Sequence, residues 1–232
     1  MTKLLAIETS TEACSVALYC NGETSEFYEF APMRHAELLL PAVQSLLDTA
    51  GLPLADLDAI AFGRGPGSFT SLRIGIGVVQ GLAWGVGLPV VPVSSLAAVA
   101  QAAIEKKGSD PFLSICVAMD ARMQEVYTAN FQLQDDGYVM AAGEERVCSP
   151  GAVSAPGDRS FIAAGNGFER FEELRPLAET AIECYPDIWP RAGVIGKLAL
   201  KWLENNDPLT AGLAQPVYVR NNVASKPKLG SE

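Results

Sequence analysis

Histidine is all but missing: His35 is the single one in 232 residues. A His-x-x-x-His metal pair is thereby impossible. A Ser-His-Asp triad would have to use His35, in a chain with no Gly-x-Ser-x-Gly turn to present a nucleophile. Basic residues are scarce too, with 17 Lys plus Arg against 27 Asp plus Glu and a net charge of −10. Binding to a phosphate backbone needs a basic patch, so nucleic acid would have to be met through a partner. The five cysteines, Cys14, Cys20, Cys116, Cys148 and Cys184, are odd in number and far apart. Lacking a Cys-x-x-Cys pair, they build neither a zinc ribbon nor a disulfide framework and are read as buried reduced thiols. Uninterrupted apolar runs of membrane length are absent: 74–91 is broken by Gly75, Gly77, Gly81, Gly85, Gly87 and Pro89, and no Lys/Arg cluster flanks it. The N-terminal run 4–7 is too short for a signal-peptide core before Glu8 stops it. No membrane partner is expected, and the chain is read as cytosolic.

What is present is 49% hydrophobic residues, 19% charged residues and 21 glycines, a composition that fits a compact α/β or α+β scaffold with many tight turns. Strands are expected at 4–8, 14–19 and 23–30, the last two joined by Asn21-Gly22, a hairpin signal. A helix follows over 35–50, with Pro41 as a start or kink and Gly51 as its end. A strand at 58–62 leads into a glycine loop and an apolar helix to about 86, then a strand at 89–93 and a helix at 96–104 capped by Ser94. After the polar break Lys106-Lys107-Gly108-Ser109-Asp110 the pattern starts over. Strands are expected at 113–119, 125–133, 138–147 and 161–165, with a loop over 149–160 and helices at 168–174 and 192–203. The reading is two lobes, 1–105 and 106–224, and a flexible tail at 225–232.

Two stretches stand out. In Glu8-Thr9-Ser10-Thr11-Glu12 an acid at a strand end precedes small hydroxyls, as in proteins that hold a metal-bound phosphate; an ordinary hydroxyl-rich turn reads the same way. In 63–87 a loop with Gly65 and Gly67, free to take left-handed backbone, precedes the apolar helix and offers N–H groups to an anion. The loop lacks the Walker lysine and spacing, which excludes a P-loop. Glu8, Thr9, Ser10, Gly65 and Gly67 are thus candidates for a nucleotide or phosphate. Gly77, Gly81 and Gly85 recur every four residues and permit close approach of another backbone. Leu72, Ile76, Val79, Ala83 and Val86 form the adjoining apolar face. The preceding helix carries Leu39, Val43 and Leu46 on one face and further stripes beside it, more apolar width than one core needs. Both helices together read either as a partner surface or as core of the chain's own fold.

Ile7-Glu8-Thr9-Ser10, the loop Gly63-Arg-Gly-Pro-Gly-Ser-Phe-Thr-Ser-Leu-Arg-Ile-Gly75, Gly81-Leu-Ala, and Asp120-Ala-Arg with Glu125-Val-Tyr127 together resemble the TsaB (YeaZ) family. The specific motifs span 3–130, and the rest matches more loosely. The resemblance implies an α/β, actin-like ATPase fold (ASKHA, ribonuclease H-like) of two β-β-β-α-β-α type lobes. It also implies a non-catalytic subunit of the bacterial machinery for tRNA threonylcarbamoyladenosine (t6A). Such a subunit binds and activates the catalytic paralogue TsaD, which transfers threonylcarbamoyl to adenosine 37 of tRNAs reading ANN codons, and TsaE joins the assembly. ATP or ADP with magnesium is then bound in or near the assembly, with no intrinsic cofactor, no metal and no catalytic residue in this chain. The expected docking face is His35, Leu39, Val43, Leu46, Leu72, Ile76, Val79 and Ala83; alone, the same face would form a homodimer. A charge placed at Val79 or Leu46 should then abolish association and spare the fold. The same phrases also resemble TsaD, whose next helix carries a His-x-x-x-His metal site. Here those positions hold Ser95 and Val99, neither able to replace imidazole. Competing readings are a stand-alone ATPase or sugar-kinase relative and a glycoprotease-like metallopeptidase, the latter failing on ligand count.

Overall fold

The computed structural model describes residues 2–108, 113–157 and 160–220; the tail expected at 225–232 lies outside the described residues. The first lobe opens with β1 (Leu4–Glu8), β2 (Ala13–Cys20) and β3 (Glu23–Phe30). Asn21 (φ 55°) and Gly22 (φ 82°) both take left-handed backbone, and Cys20 pairs with Glu23, as a two-residue hairpin turn of matched twist requires. Then come α1 (His35–Ala50), β4 (Ala59–Gly63), α2 (Phe69–Val86), β5 (Val90–Val93) and α3 (Ser95–Lys107). The sheet order is β3-β2-β1-β4-β5, antiparallel across β1, β2 and β3 and parallel across β1, β4 and β5.

The second lobe repeats the plan with β6 (Ser114–Asp120), β7 (Val126–Leu133), β8 (Val139–Ala141), β9 (Arg146–Cys148), β10 (Phe161–Ala164), α4 (Gly167–Arg170), α5 (Arg175–Thr180), β11 (Glu183–Tyr185) and α6 (Ala192–Leu203). Its sheet order is β11-β10-β6-β7-β8, with β9 also on β7. Two open sheets of this topology, each an antiparallel meander extended by parallel strands, make the actin-like, ribonuclease H-like fold.

Two expectations need correction. The strand expected at 138–147 is two short ones, β8 and β9, which meet different parts of β7; Gly143 at φ 153° lies between them. The helix expected at 168–174 is α4 followed by a 3-10 turn (Glu172–Leu174), because Phe171 is extended (φ −118°) and turns its ring into the core. Strand β11 went unread, being three residues long and partly polar. Helix α1 runs through Pro41, which sits on its solvent side.

The faces of the first sheet differ in size. Leu5, Ile7, Val16, Leu18, Ile60 and Phe62 meet α1 and α2, whereas Leu4, Ala6, Ala17, Ala59 and Ala61 meet α6. The small residues allow α6 to lie close, and Gly196 has no room for a Cβ against the Tyr19 ring. Helices are thus exchanged between lobes, since α6 follows the second sheet yet covers the first, while α3 follows the first and packs on β6, β7 and β10.

All five cysteines are free. Burial pushes the thiol of Cys14 up to about 11 and that of Cys116 up to about 12. Cys184 departs from expectation and is exposed, since β11 is an edge strand. By length and composition α2 would suffice to cross a membrane (mean hydropathy 1.2), but Ile76, Val79 and Ala83 lie in the core of the first lobe.

Leu39 and Val79 are 1% and 0% exposed. Leu39→Ala is therefore expected to lower unfolding stability by about 2–5 kcal/mol, and Val79→Asp to prevent folding rather than to spare it. Urea denaturation measures the first, and a loss below about 0.5 kcal/mol, typical of a surface site, would contradict this packing.

Candidate functional site

The two stretches singled out in the sequence fit into each other. A Cβ at Gly63 would overlap the Glu8 carboxylate, one at Gly75 the Thr9 hydroxyl, and one at Gly67 the Ser10 backbone. Three consecutive residues leaving β1 are thus each faced by a glycine from β4, the loop or α2. Hydrogen bonds complete the fit. The Ser10 N–H donates to Glu8 Oε1 (2.5 Å) and the Ser95 hydroxyl to Glu8 Oε2 (2.8 Å). Thr9 Oγ1 donates to the Ser71 carbonyl (2.9 Å), and the Ser68 N–H to the Ser10 carbonyl (2.7 Å). Gly65, at φ 89°, accepts from the Ser95 N–H (3.0 Å). Glu8 is 1% exposed, and burial raises its pKa despite the opposing hydrogen bonds from Ser10 and Ser95.

Between the lobes lies a cleft of about 520 Å³. Of the five candidate anion-binding residues, Ser10 and Gly67 line it, while Glu8, Thr9 and Gly65 do not. The acid at the end of β1 is thus buried, with each carboxylate oxygen accepting one hydrogen bond, and stands behind the cleft wall. The buried Ser10 hydroxyl has no hydrogen-bond partner among the described residues. No group of three His, Cys, Asp or Glu that could hold a metal ion occurs among them either.

Polar links cross between the lobes around the cleft. Arg64 makes a two-pronged pair with Glu145 (3.0 and 3.1 Å), which also accepts from the Ser94 hydroxyl. Arg122 pairs with Glu12, and the Tyr127 hydroxyl donates to the Gly67 carbonyl (3.3 Å). Arg122, Met123 and Gln124 form the β6–β7 turn with three successive positive φ angles, 62°, 53° and 61°. For residues with a Cβ this costs about 1–2 kcal/mol each, which the turn's own bonds (Ala121 N–H to the Glu125 carbonyl, 2.9 Å; Glu125 N–H to the Arg122 carbonyl, 3.0 Å; Arg122 N–H to Asp120 Oδ1, 2.9 Å) and its contacts with the rest of the chain offset. The TsaD-like ligand positions are also filled: Ser95 binds Glu8, and Val99 is fully buried in the core of the second lobe.

The expected docking residues lie mostly inside. His35 is buried, and its Nε2–H donates to the Ala13 carbonyl (3.2 Å). Leu39, Val43, Leu72, Ile76, Val79 and Ala83 are 0–5% exposed, and Leu46 is half-buried against the same core. The apolar face of each helix is the one its own sheet covers, and burial of these side chains is what holds the helices there. The outward face of α2 is made of other residues. At Gly77, Gly81 and Gly85 a Cβ would meet nothing within 4 Å. Phe69 and Arg73 stand at one end of this row and Trp84, 75% exposed, at the other. Among the described residues nothing requires glycine at these positions, although each costs a helix about 1 kcal/mol relative to alanine. The four-residue spacing of the glycines was legible; what it missed was Trp84, an aromatic in phase with them. Asp120-Ala-Arg stood out as a motif without showing its left-handed backbone, and the contacts of Tyr218 and Arg220 gave no local signal.

Fold and site together define an actin-like ATPase-fold protein whose strand-end acid is closed off from its cleft. Residues 29–225 match the family model described as TsaD, tRNA N6-adenosine threonylcarbamoyltransferase. The chain is 38% identical over 233 residues to the tRNA threonylcarbamoyladenosine biosynthesis protein TsaB of Escherichia coli (strain K12), covering 99% of this chain and 100% of that one. A protein of the same name from Haemophilus influenzae is 38% identical over 237 residues, covering 99% and 98%. The solved structure of YeaZ from Pseudomonas aeruginosa superposes with a TM-score of 0.84 and 43% identity, covering 94% of this chain and 100% of that one. The chain belongs to the TsaB (YeaZ) family of tRNA threonylcarbamoyladenosine biosynthesis proteins.

The raised Glu8 pKa has a consequence for stability. The folded state takes up a proton at Glu8 at higher pH than the unfolded chain does, near its ordinary 4.5. Glu8 thus adds stability that is fully present below pH 4.5 and is lost as pH rises through the raised folded value. Relative to Glu8→Gln, which does not titrate, the wild-type chain should gain unfolding free energy on acidification from pH 7.5 toward 4.5. A constant difference between the two denaturation curves would contradict the sealed carboxylate.

Proposed function

We propose that this protein is a non-catalytic subunit of a tRNA threonylcarbamoyladenosine-forming assembly, and that it docks onto a TsaD-like catalytic partner through the outward face of α2. The observation that carries the reading is the row Gly77, Gly81 and Gly85, open to solvent and flanked by Phe69 and Trp84. Glycines at this spacing let a second helix approach to backbone distance, and an exposed tryptophan supplies an anchor of the kind that dominates interfaces. The family membership supplies the class of partner. TsaE, and ATP or ADP with magnesium, belong to other parts of the assembly in this reading. The net charge of −10 leaves tRNA to the partner. Without that partner the same face pairs with a second copy.

The non-catalytic part of the reading rests on Glu8, enclosed by Ser10, Ser95 and Gly63, and on Ser95 and Val99 where metal-binding histidines would stand. One observation favours a stand-alone ATPase instead: the unpartnered Ser10 hydroxyl lines the cleft. Calorimetry of the isolated protein with ATP and magnesium separates the two, because an independent ATPase binds nucleotide without a partner.

Substitution of the glycine row should move stability and association in opposite directions. Gly81→Ala is expected to raise unfolding stability by about 0.5–1 kcal/mol while weakening association. Gly81→Leu should cost at least about tenfold in affinity, the equivalent of one overpacked side chain at a close interface. Thermal denaturation and co-purification with a TsaD-family partner read the two effects. Unchanged affinity for Gly81→Leu would overturn the assignment of this face.

A further inference from the structure

We propose that residues 214–220 are a latch that holds the two lobes together over the cleft, and that its release opens the cleft. The segment starts from a fixed point. Leu209 and Val90 exchange backbone hydrogen bonds (2.8 and 2.9 Å) at the edge of the first sheet. Ala214 is fully buried in the first-lobe core, and its carbonyl accepts from Gln80 Nε2 of α2 (2.7 Å).

From there the chain runs to the cleft, where Val217, Tyr218, Val219 and Arg220 all line the wall. Its contacts pass from one lobe to the other. On the first lobe, the Val217 N–H donates to the Arg64 carbonyl (2.8 Å) and Arg73 Nε donates to the Tyr218 hydroxyl (3.1 Å). The Tyr218 ring lies 5.4 Å from that of Phe69, whose face carries the Arg73 guanidinium at 3.7 Å. On the second lobe, Arg220 donates to the Ala121 carbonyl (3.1 Å), to the Glu125 carboxylate and toward Met123 Sδ (3.4 Å).

Ala121 and Glu125 bracket the left-handed run Arg122, Met123 and Gln124, and Met123 lies within it. Arg220 thus adds a hold on a turn with three left-handed residues, and that same turn carries Arg122 to Glu12 on the opposite lobe. Loss of the Arg220 contacts frees the turn and with it a second bridge between the lobes. The segment itself has no helix or strand between Ala214 and Arg220, so two main-chain hydrogen bonds and a few side chains carry the attachment. A latch of this kind is released locally, without unfolding either sheet.

The test uses the full chain with Trp84→Phe and Trp202→Phe, which leaves Trp189, on the cleft wall, as the sole tryptophan. Arg220→Ala and Tyr218→Ala are expected to raise acrylamide quenching of Trp189. Arg220→Ala should also speed amide exchange at Ala121 and Glu125 about fivefold, the change one partly exposed ion pair supports. Arg220→Lys, which retains the charge facing Glu125, should fall between. Arg175→Ala, which breaks the exposed Arg175–Glu179 pair away from the cleft, should change neither signal. Quenching and exchange that stay at the parental values in folded Arg220→Ala and Tyr218→Ala would overturn the latch. Should either alanine variant fail to fold, Arg220→Lys and Tyr218→Phe decide by the same two readouts, with no change in either counting against the proposal.

Discussion

The carboxylate of Glu8 sits in a space that only glycine backbone can border. Its two oxygens are held by the Ser10 amide and the Ser95 hydroxyl, and the neighbouring Gly63 leaves room for it by having no side chain. This single buried acid ties the end of β1 to the end of β4 and the start of α3, the helix that crosses to cover the second sheet. Loss of a partner would leave a buried polar group unsatisfied at the point where both lobes meet, which is costly. This close fit joins the glycine loop and the start of α3 to the end of β1, while apolar burial holds α2 and α3 on their sheets.

The glycines of 63–87 serve two separate ends. Gly63, Gly67 and Gly75 face inward and accommodate Glu8, Ser10 and Thr9, so a Cβ at any of them would collide with the strand-end turn. Gly77, Gly81 and Gly85 face outward into open space, where a Cβ would meet nothing. The first set is explained by the fold. The second weakens the helix with no return among the described residues, which is what the proposed docking face accounts for.

Much of this was legible in advance because its causes are local. Asn21-Gly22 fixes a hairpin, Ser94 caps α3 by accepting from the Ala97 N–H (3.1 Å), and Gly51 ends α1 in left-handed backbone. What stayed hidden depends on distant parts of the chain. The apolar faces at Leu39, Val43, Ile76 and Val79 could have been core or partner surface, and the sheet beneath them decides for core. Glu8 followed by hydroxyls reads as a phosphate site or an ordinary turn, and its burial against Gly63 and Ser95 comes from residues 55 or more positions away. Val147 and Val139 both favour strand, yet Gly143 divides them between two positions on β7. The hold of Arg220 on the Arg122 turn joins residues 95 or more positions apart and had no trace in sequence spacing.

Cross-links from Arg64 to Glu145, Arg122 to Glu12 and Tyr127 to Gly67 restrain the two lobes, which suits a protein that presents a surface more than one that closes on a substrate. The central claim is that this surface is the outward face of α2. Trp84 reports on it directly in a chain carrying Trp189→Phe and Trp202→Phe. On addition of a TsaD-family partner, its emission should shift to the blue and acrylamide should lose access to it. A complex seen by size exclusion in which Trp84 remains as accessible as in the free protein would contradict the account.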